Sequence, residues 1–249
     1  MSSLLNGKVA IVTGAARGIG AAISKRFAAE GAAVSLSYLG RASEAEATLA
    51  AIRTAGGSAI VTQADVRKEQ DVQRLFAETK ARFGRVDIVV NNAAVNHRMT
   101  VENITEAEFR NHFDVNVMGI LLMVKEATRY LERDGCILNI SSLSSMIPSA
   151  GASLYGGSKA AVDAITATLA VELGQKGIRV NAINPGITQT EQLDEQPFVT
   201  PELRAHVSNM TPLRRLGTPE DIAGAAVALC SPETGWITGQ CIRVSGGFR

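Results

Sequence analysis

The chain has 249 residues, a formal net charge of +1, 46% hydrophobic residues and 20% charged residues. This length suits one large α/β domain with a substantial core, and the composition is that of an ordinary globular protein. A net charge so close to zero indicates no excess of basic residues for binding nucleic acid or an anionic membrane surface. We therefore expect neither as a partner.

Cysteine usage and the first residues point to a reducing compartment. Cys136, Cys230 and Cys241 are an odd number of cysteines at no metal-ligand spacing, so we expect free thiols and no metal site. Residues 1–8 show no basic region followed by a long apolar stretch, and the Ala-rich runs are interrupted too often by charge to span a bilayer. The sequence therefore predicts a cytoplasmic protein.

Short apolar runs rich in β-branched residues alternate with longer stretches of helical spacing. The short runs predict strands at residues 9–13, 33–37, 59–63, 86–90, 136–140, 178–183 and 240–244. The longer stretches predict helices at residues 19–30, 43–55, 69–83, 152–173 and 219–229, and one long helix or two joined helices over residues 106–129.

This alternation predicts an α/β fold in which residues 1–249 form a single domain. Apolar strands imply a parallel sheet that is covered by helices on both faces, which is a doubly wound sheet. Ligands of such sheets bind at the carboxyl ends of the strands. We therefore look for a site among residues that follow strands.

Residues 188–212 interrupt the alternation with a polar stretch that holds Pro197, Pro201 and Pro212. A long segment of this kind in a compact domain is usually a lid, a binding loop or disorder, and a plain surface insertion is the alternative. We expect this segment to close over a substrate.

A glycine-rich loop, Thr13-Gly-Ala-Ala-Arg-Gly-Ile-Gly20, joins the first strand to the first helix. Glycines permit a tight turn and a close approach of backbone to a pyrophosphate, while the helix N-terminus offers free N–H groups and the positive end of its dipole. Glycines also simply end strands. The strand before this loop and the helix after it favour the nucleotide-binding interpretation.

Tyr155 and Lys159 are four residues apart on a predicted helix, so their side chains share one face. A free tyrosine has a pKa near ~10, which is too high for efficient proton transfer at neutral pH. Because a nearby ammonium favours the phenolate, we expect Lys159 to lower the pKa of Tyr155. The alternative is a surface lysine beside a tyrosine at the core edge.

In these motifs the chain resembles the short-chain dehydrogenase/reductase family. Further matches occur in order along nearly the whole chain, namely Asn91-Asn92-Ala93, Asn116, Ser142, Tyr155-x-x-x-Lys159 and Pro185-Gly186. Two positions depart from the family pattern: Ala94 and Ser245, where a glycine and an aspartate are more usual. The resemblance implies a Rossmann fold and an oxidoreductase dependent on a nicotinamide cofactor.

The resemblance also implies roles for individual residues. Tyr155 would exchange the proton of the reacting oxygen, Lys159 would hold the nicotinamide ribose, Ser142 would steady the reacting oxygen and Asn116 would hold a water in a proton relay. The implied cofactor contacts are Gly14, Arg17, Gly18, Ile19, Gly20, Tyr38, Arg41, Asp65, Val66, Asn92, Ala93, Tyr155, Lys159, Pro185, Gly186, Ile187 and Thr190.

The turn after the second strand bears on the choice of cofactor. A site that prefers NAD usually places an acidic residue there to bind the ribose 2′-hydroxyl. This chain has Tyr38 in that region and no acid before Glu44, while Arg17 and Arg41 are suited to binding a 2′-phosphate. We expect NADP(H), with NAD(H) as the alternative if both arginines are merely solvated.

The substrate stays open at this point. Members that reduce 3-oxoacyl carrier-protein thioesters are the first expectation from the resemblance, and dehydrogenases of sugars or polyols are the alternative. Docking of a carrier protein needs basic residues beside the site, for which Lys176 is a candidate, although residues 132–134 carry mixed charge. A cofactor-sensing regulator without chemistry is disfavoured because Tyr155 and Lys159 are both present. The resemblance further implies a homotetramer packed through residues 106–129 and 152–173.

Overall fold

The computed structural model describes residues 3–195 and 199–248. Strands within them are β1 (Val9–Val12), β2 (Ala33–Tyr38), β3 (Ser58–Gln63), β4 (Ile88–Asn91), β5 (Cys136–Ile140), β6 (Arg179–Pro185) and β7 (Cys241–Val244). Helices within them are α1 (Gly18–Ala29), α2 (Ala42–Thr54), α3 (Glu69–Phe83), α4 (Glu106–Phe113), α5 (Gly119–Ala127), α6 (Ser153–Gly174), α7 (Glu191–Asp194), α8 (Pro201–Met210) and α9 (Pro219–Cys230). The predicted strands and helices are all present, and their ends differ from the predictions by at most about two residues.

In the described residues, seven parallel strands form one sheet in the order β3-β2-β1-β4-β5-β6-β7. The chain moves outward from β1 to β3, returns to pair β4 with β1, and then moves outward the other way. The change of direction lies between β1 and β4, which is where a doubly wound sheet opens a crevice for ligands. The predicted fold class is therefore confirmed.

Two hydrophobic clusters cover the two faces of the sheet. One centres on Phe27 of α1 and packs against α9, and the other centres on Phe76 of α3 and packs against α5 and α6. The central strands are buried on both faces, which explains why they read as continuous apolar runs. Among the described residues, no helix has the length and apolar character needed to cross a membrane.

The stretch 106–129 is two joined helices. A π-helical turn, Asp114–Met118, separates α4 from α5. This turn carries Asn116, whose side chain is fully buried and hydrogen-bonded to the backbone of Val95. A π-turn of this kind often marks a functional position in a helix.

The segment 188–212 contains helices that the sequence analysis did not predict. α7 and α8 each begin after a threonine whose side chain accepts a backbone N–H: Thr190 from Leu193, and Thr200 from Leu203. Pro201 then occupies the first turn of α8, where its missing N–H costs nothing. Residues 196–198, with Pro197, lie outside the described residues.

Candidate active site

The carboxyl ends of the central strands open into a cavity of about 970 Å³. Its walls come from the loops after β1 to β6, from the start of α6 and from the segment that holds α7 and α8. Seventeen of the nineteen predicted site residues line this cavity. They are Gly14, Arg17, Gly18, Ile19, Tyr38, Arg41, Asp65, Val66, Asn92, Ala93, Ser142, Tyr155, Lys159, Pro185, Gly186, Ile187 and Thr190.

Gly20 and Asn116 do not line the cavity, and both are buried behind its wall.

The glycine loop leaves a backbone cradle at the start of α1. Gly14 has φ +62°, and a Cβ there would lie 2.9 Å from the Cα of Ala93. A Cβ on Gly20 would collide with the carbonyl oxygen of Gly14, so Gly20 serves close packing of the loop. No side chain caps the start of α1, where Arg17 is extended. The first N–H groups of this 12-residue helix therefore remain suited to an anion.

The loop after β4 is fixed to the loop after β1. The hydroxyl of Thr13 accepts the N–H groups of Asn92 and Ala93, both at 3.0 Å. The side-chain amide of Asn92 donates to the carbonyl oxygens of Thr13 and Gly14 at 2.9 and 3.0 Å. These bonds hold the two loops together where the sheet changes direction.

Tyr155, Lys159 and Ser142 meet at the carboxyl end of β5. The Nζ of Lys159 lies 5.8 Å from the centroid of the Tyr155 ring and donates to the carbonyl oxygen of Ile140 at 2.8 Å. The hydroxyl of Ser142 is near that of Tyr155 and acts to lower the pKa of the phenol. Because Ser142 Oγ also accepts the N–H of Ser144 at 3.1 Å, its own hydrogen can point to the phenol oxygen.

The expected pKa of Tyr155 was wrong in direction. Burial raises the pKa of this phenol above its ordinary value, and the hydrogen bond from Ser142 and the charge of Arg98 oppose that rise without cancelling it. The ammonium of Lys159, 5.8 Å from the centre of the ring, is not among the groups that shift this pKa. Burial also lowers the pKa of Lys159 to about 8, while the nearby charge of Asp163 acts in the opposite direction.

Asn116 lies one layer behind these groups. Its Oδ1 accepts the N–H of Val95 at 2.9 Å, and its Nδ2 donates to the carbonyl oxygen of Val95 and to the hydroxyl of Ser158, each at 3.0 Å. The hydroxyl of Ser158 in turn donates to the carbonyl oxygen of Tyr155 at 2.7 Å. Asn116 thus ties the loop after β4 to the helix that carries Tyr155.

The turn after β2 presents Tyr38 and Arg41 to the cavity, with Arg17 across from them. Arg41 is paired with Glu44 at 3.0 Å, and Arg17 is paired with Glu195. After β3, the carboxylate of Asp65 forms an ion pair with the guanidinium of Arg67, with Nη2 2.7 Å from Oδ2. That pairing holds the pKa of Asp65 below its ordinary value.

Comparison with known proteins agrees with this geometry. Residues 14–249 match the family model described as enoyl-(acyl carrier protein) reductase. The chain belongs to the short-chain dehydrogenase/reductase family. It is therefore an oxidoreductase of a family that uses NAD(P) and acts on CH–OH or C=O groups of small molecules.

Two curated relatives illustrate the similarity. An uncharacterized oxidoreductase of Methylorubrum extorquens is 42% identical over 99% of this chain and 100% of its own length. The 3beta-hydroxysteroid dehydrogenase 1 of Eggerthella lenta is 39% identical over 98% of this chain and 94% of its own length.

Two solved structures share the fold across the whole chain. A dehydrogenase/reductase from Sinorhizobium meliloti has a TM-score of 0.94 and 38% identity, covering 100% of this chain and 97% of that one. A short chain dehydrogenase from Burkholderia cenocepacia in complex with NADP has a TM-score of 0.91 and 36% identity, covering 98% of each chain.

Sequence reasoning missed a polar network behind Ser142 in this short-chain dehydrogenase/reductase. The fully buried Asn184 of β6 donates to the carbonyl oxygen of Ser142 at 3.2 Å, the hydroxyl of Ser145 at 3.0 Å and the carboxylate of Asp163 at 2.9 Å. Asp163 follows Lys159 by four residues on α6, so it shares that face of the helix. That spacing is the signal that could have found it.

The expectation for Lys176 was wrong. Lys176 lies in the turn between the end of α6 and the start of β6. The cavity is at the other end of β6, where Pro185 forms part of the wall. The length of the strand therefore separates Lys176 from the site.

Proposed function

We propose that the protein transfers a hydride between a nicotinamide cofactor and a ketone or secondary alcohol, with Tyr155 as the group that exchanges the proton. The observation that carries this proposal is the contact of Tyr155 with Ser142 and Lys159 at a cavity whose far wall is the glycine loop. A proton-transfer group and a dinucleotide cradle in one cavity are what this reaction requires.

The cradle fits a dinucleotide. The free N–H groups at the start of α1 would donate to its phosphates, which Gly14 allows to approach the backbone closely. Gly186 would border the nicotinamide, and Asn92 and Ala93 would border the adenosine ribose. The bound nicotinamide would supply or accept the hydride. Asp65 and Val66 would contact the adenine, and Lys159 would donate to the hydroxyls of the nicotinamide ribose.

In reduction, Tyr155 would donate its proton to the carbonyl oxygen as that oxygen gains charge, and in oxidation it would take the proton of the alcohol. Ser142 would donate a hydrogen bond to the same oxygen. The ammonium of Lys159 would stabilise the phenolate electrostatically. We propose that Asn116 positions a water that returns the proton to this group, in addition to its bonds with Val95 and Ser158.

We propose NADP(H) as the preferred cofactor. Tyr38 and Arg41 stand where an acid would favour NAD(H), and Arg17 faces the same part of the cavity. The similar B. cenocepacia dehydrogenase, whose structure contains NADP, supports this proposal.

For the substrate we propose a ketone or secondary alcohol carried on an apolar body. The cavity lining includes a group of apolar side chains, four of them from the segment of α7 and α8, namely Ile147, Leu193, Val199, Leu203, Val207 and Phe248. These side chains favour an apolar substrate over a sugar or polyol, because burying hydroxyl groups against them would leave those groups without partners. The hydroxysteroid dehydrogenase of E. lenta supports this class, while a 3-oxoacyl thioester remains its competitor.

We further propose that residues 1–249 act as a single domain in which residues 188–212 cover the substrate. Support comes from Thr188, Thr190, Leu203 and Val207, all of which face the cavity.

The test is a panel of hydroxysteroids, 3-oxoacyl thioesters and polyols, followed by nicotinamide absorbance with each cofactor. Turnover of a steroid or other apolar alcohol, above turnover of polyols, is the expected result. Cofactor binding without turnover of any class would overturn the proposed activity and leave a cofactor-sensing role.

A further inference from the structure

The end of α7 contacts the glycine loop through one carboxylate. Glu195 accepts hydrogen bonds from both terminal nitrogens of Arg17, with Nη2 2.8 Å from Oε2. The same Oε2 lies 3.7 Å from Nη2 of Arg41. One oxygen of Glu195 therefore faces both arginines that the proposed function assigns to a 2′-phosphate.

This contact uses the chemistry that a phosphate would use. The planar fork of arginine binds carboxylates and phosphates in the same two-pronged way. The side chain of Arg17 is only 18% exposed, so few other partners can reach it. The hydrogen bond from Arg17 lowers the pKa of Glu195, which keeps the carboxylate charged at neutral pH.

Other carboxylates add to this effect. Glu44 is bonded to Arg41, and the charges of Glu44 and Glu191 both act on Arg17. The two arginines are thus already balanced by nearby acids. A second anion that binds to Arg17 and Arg41 must displace Glu195, or else its binding is weakened by repulsion from the Glu195 carboxylate.

We propose that Glu195 is a specificity-determining residue that competes with the cofactor 2′-phosphate for Arg17 and Arg41. NAD(H) lacks that phosphate and leaves the contact between Glu195 and the arginines intact. Glu195 therefore weakens the binding of NADP(H) but not that of NAD(H). As a result, the ratio of the affinities for NADP(H) and NAD(H) is smaller than the two arginines alone would give. This inference rests on the proposed function, because it takes the arginines as the 2′-phosphate site.

Asp194 provides a matched control. It is the neighbouring acid on α7, but it is paired with Arg204 of α8 rather than with the glycine loop. Asp194→Asn removes the same charge from the same helix without freeing Arg17. The side chains of Glu195 and Asp194 are 51% and 62% exposed, so neither substitution should prevent folding.

The experiment measures dissociation constants of NADPH and NADH by fluorescence titration for wild type, Glu195→Gln and Asp194→Asn. Adenosine 2′,5′-bisphosphate and 5′-AMP serve as probes that differ only in the 2′-phosphate. Glu195→Gln should tighten NADPH and the bisphosphate about 5-fold, with NADH and AMP changing less than about 2-fold. Asp194→Asn should change all four by less than about 2-fold.

A second arm adds Glu195→Gln to Arg17→Ala. Most of the gain for NADPH should be lost there, because Arg17 is gone and only Arg41, 3.7 Å from Glu195, is still contested. Equal changes for both cofactors, or none, would overturn this inference while leaving the proposed function intact. Failure of wild type to bind either cofactor would overturn both.

Discussion

Lys159 places its Nζ 5.8 Å from the centre of the Tyr155 ring while donating to the carbonyl oxygen of Ile140 at 2.8 Å. The hydrogen bond to Ile140 fixes the ammonium at the end of β5, and α6 carries both Lys159 and Tyr155. Burial acts on both groups in the direction of their neutral forms, raising the pKa of Tyr155 and lowering that of Lys159. The pKa of Lys159 is therefore closer to neutral pH than the pKa of Tyr155.

Tyr155→Phe should abolish turnover and leave the dissociation constant of the cofactor within about 2-fold, because only the proton-transfer group is removed. Steady-state rates and cofactor titration measure the two effects. Tyr130→Phe is the control, since Tyr130 packs against Phe76 away from the cavity and should keep full activity. Substantial turnover by Tyr155→Phe would contradict the assignment.

Cofactor affinity should fall as the pH rises through about 8. Below that pKa the ammonium of Lys159 is charged and can attract the cofactor, and above it the amine is neutral. Dissociation constants of the cofactor, measured by titration from about pH 6.5 to about pH 9.5, check this prediction. Lys159→Met should bind more weakly throughout and lose the inflection near 8, and an inflection that survives in this variant would assign it to another group.

Asn184→Ala should lower kcat without changing cofactor affinity, because Asn184 holds the backbone of Ser142 rather than the cradle. It should also cost roughly 1–3 kcal/mol of stability, since the carboxylate of Asp163 loses a donor. Asn181→Ala is the control: Asn181 is also a fully buried asparagine of β6, but it bonds to Ile237 and Gln240. A similar loss of kcat in both variants would mean that Asn184 acts only through stability.

How much the sequence could predict depended on the range of the interactions involved. Strands, helices and the Tyr155/Lys159 pair follow from local spacing, and they appear in the structure as predicted. Long-range partners could not be read in this way. Asn184 lies 42 residues from Ser142, and Glu195 lies 178 residues from Arg17, so only the folded chain brings each pair together. The predicted direction of the pKa shift of Tyr155 was wrong, because the burial of a side chain cannot be judged from sequence spacing.

We expect a homotetramer. Phe109, Met118 and Leu121 are exposed apolar side chains along α4, the π-turn and α5, and Val171 on α6 is 77% exposed. Burial of such faces against a second copy would remove them from water in isologous contacts. Light scattering should give four times the monomer mass, and Leu121→Glu should lower it. A monomer mass for wild type at micromolar concentration would refute this prediction.

Cofactor choice can be tested by charge at the turn after β2. The 2′-phosphate of NADP carries close to two negative charges at neutral pH, so it needs cationic donors and avoids carboxylates. Tyr38→Asp should shift preference toward NAD, because its carboxylate would repel the phosphate and accept the free ribose hydroxyls. Arg17→Ala and Arg41→Ala should each weaken NADP more than NAD, by about one decade for each charged hydrogen bond lost.

The measurement is the ratio of kcat/KM for the two cofactors in wild type and the three variants. Arg74→Ala is the control, because Arg74 is an exposed arginine that pairs with Asp71 on α3 and does not line the cavity. Its ratio should equal that of wild type, since the charge removed is equal but remote and screened. If wild type prefers NAD and neither Arg17→Ala nor Arg41→Ala changes the ratio, both arginines are solvated side chains and NADP is not the cofactor for which this site is built.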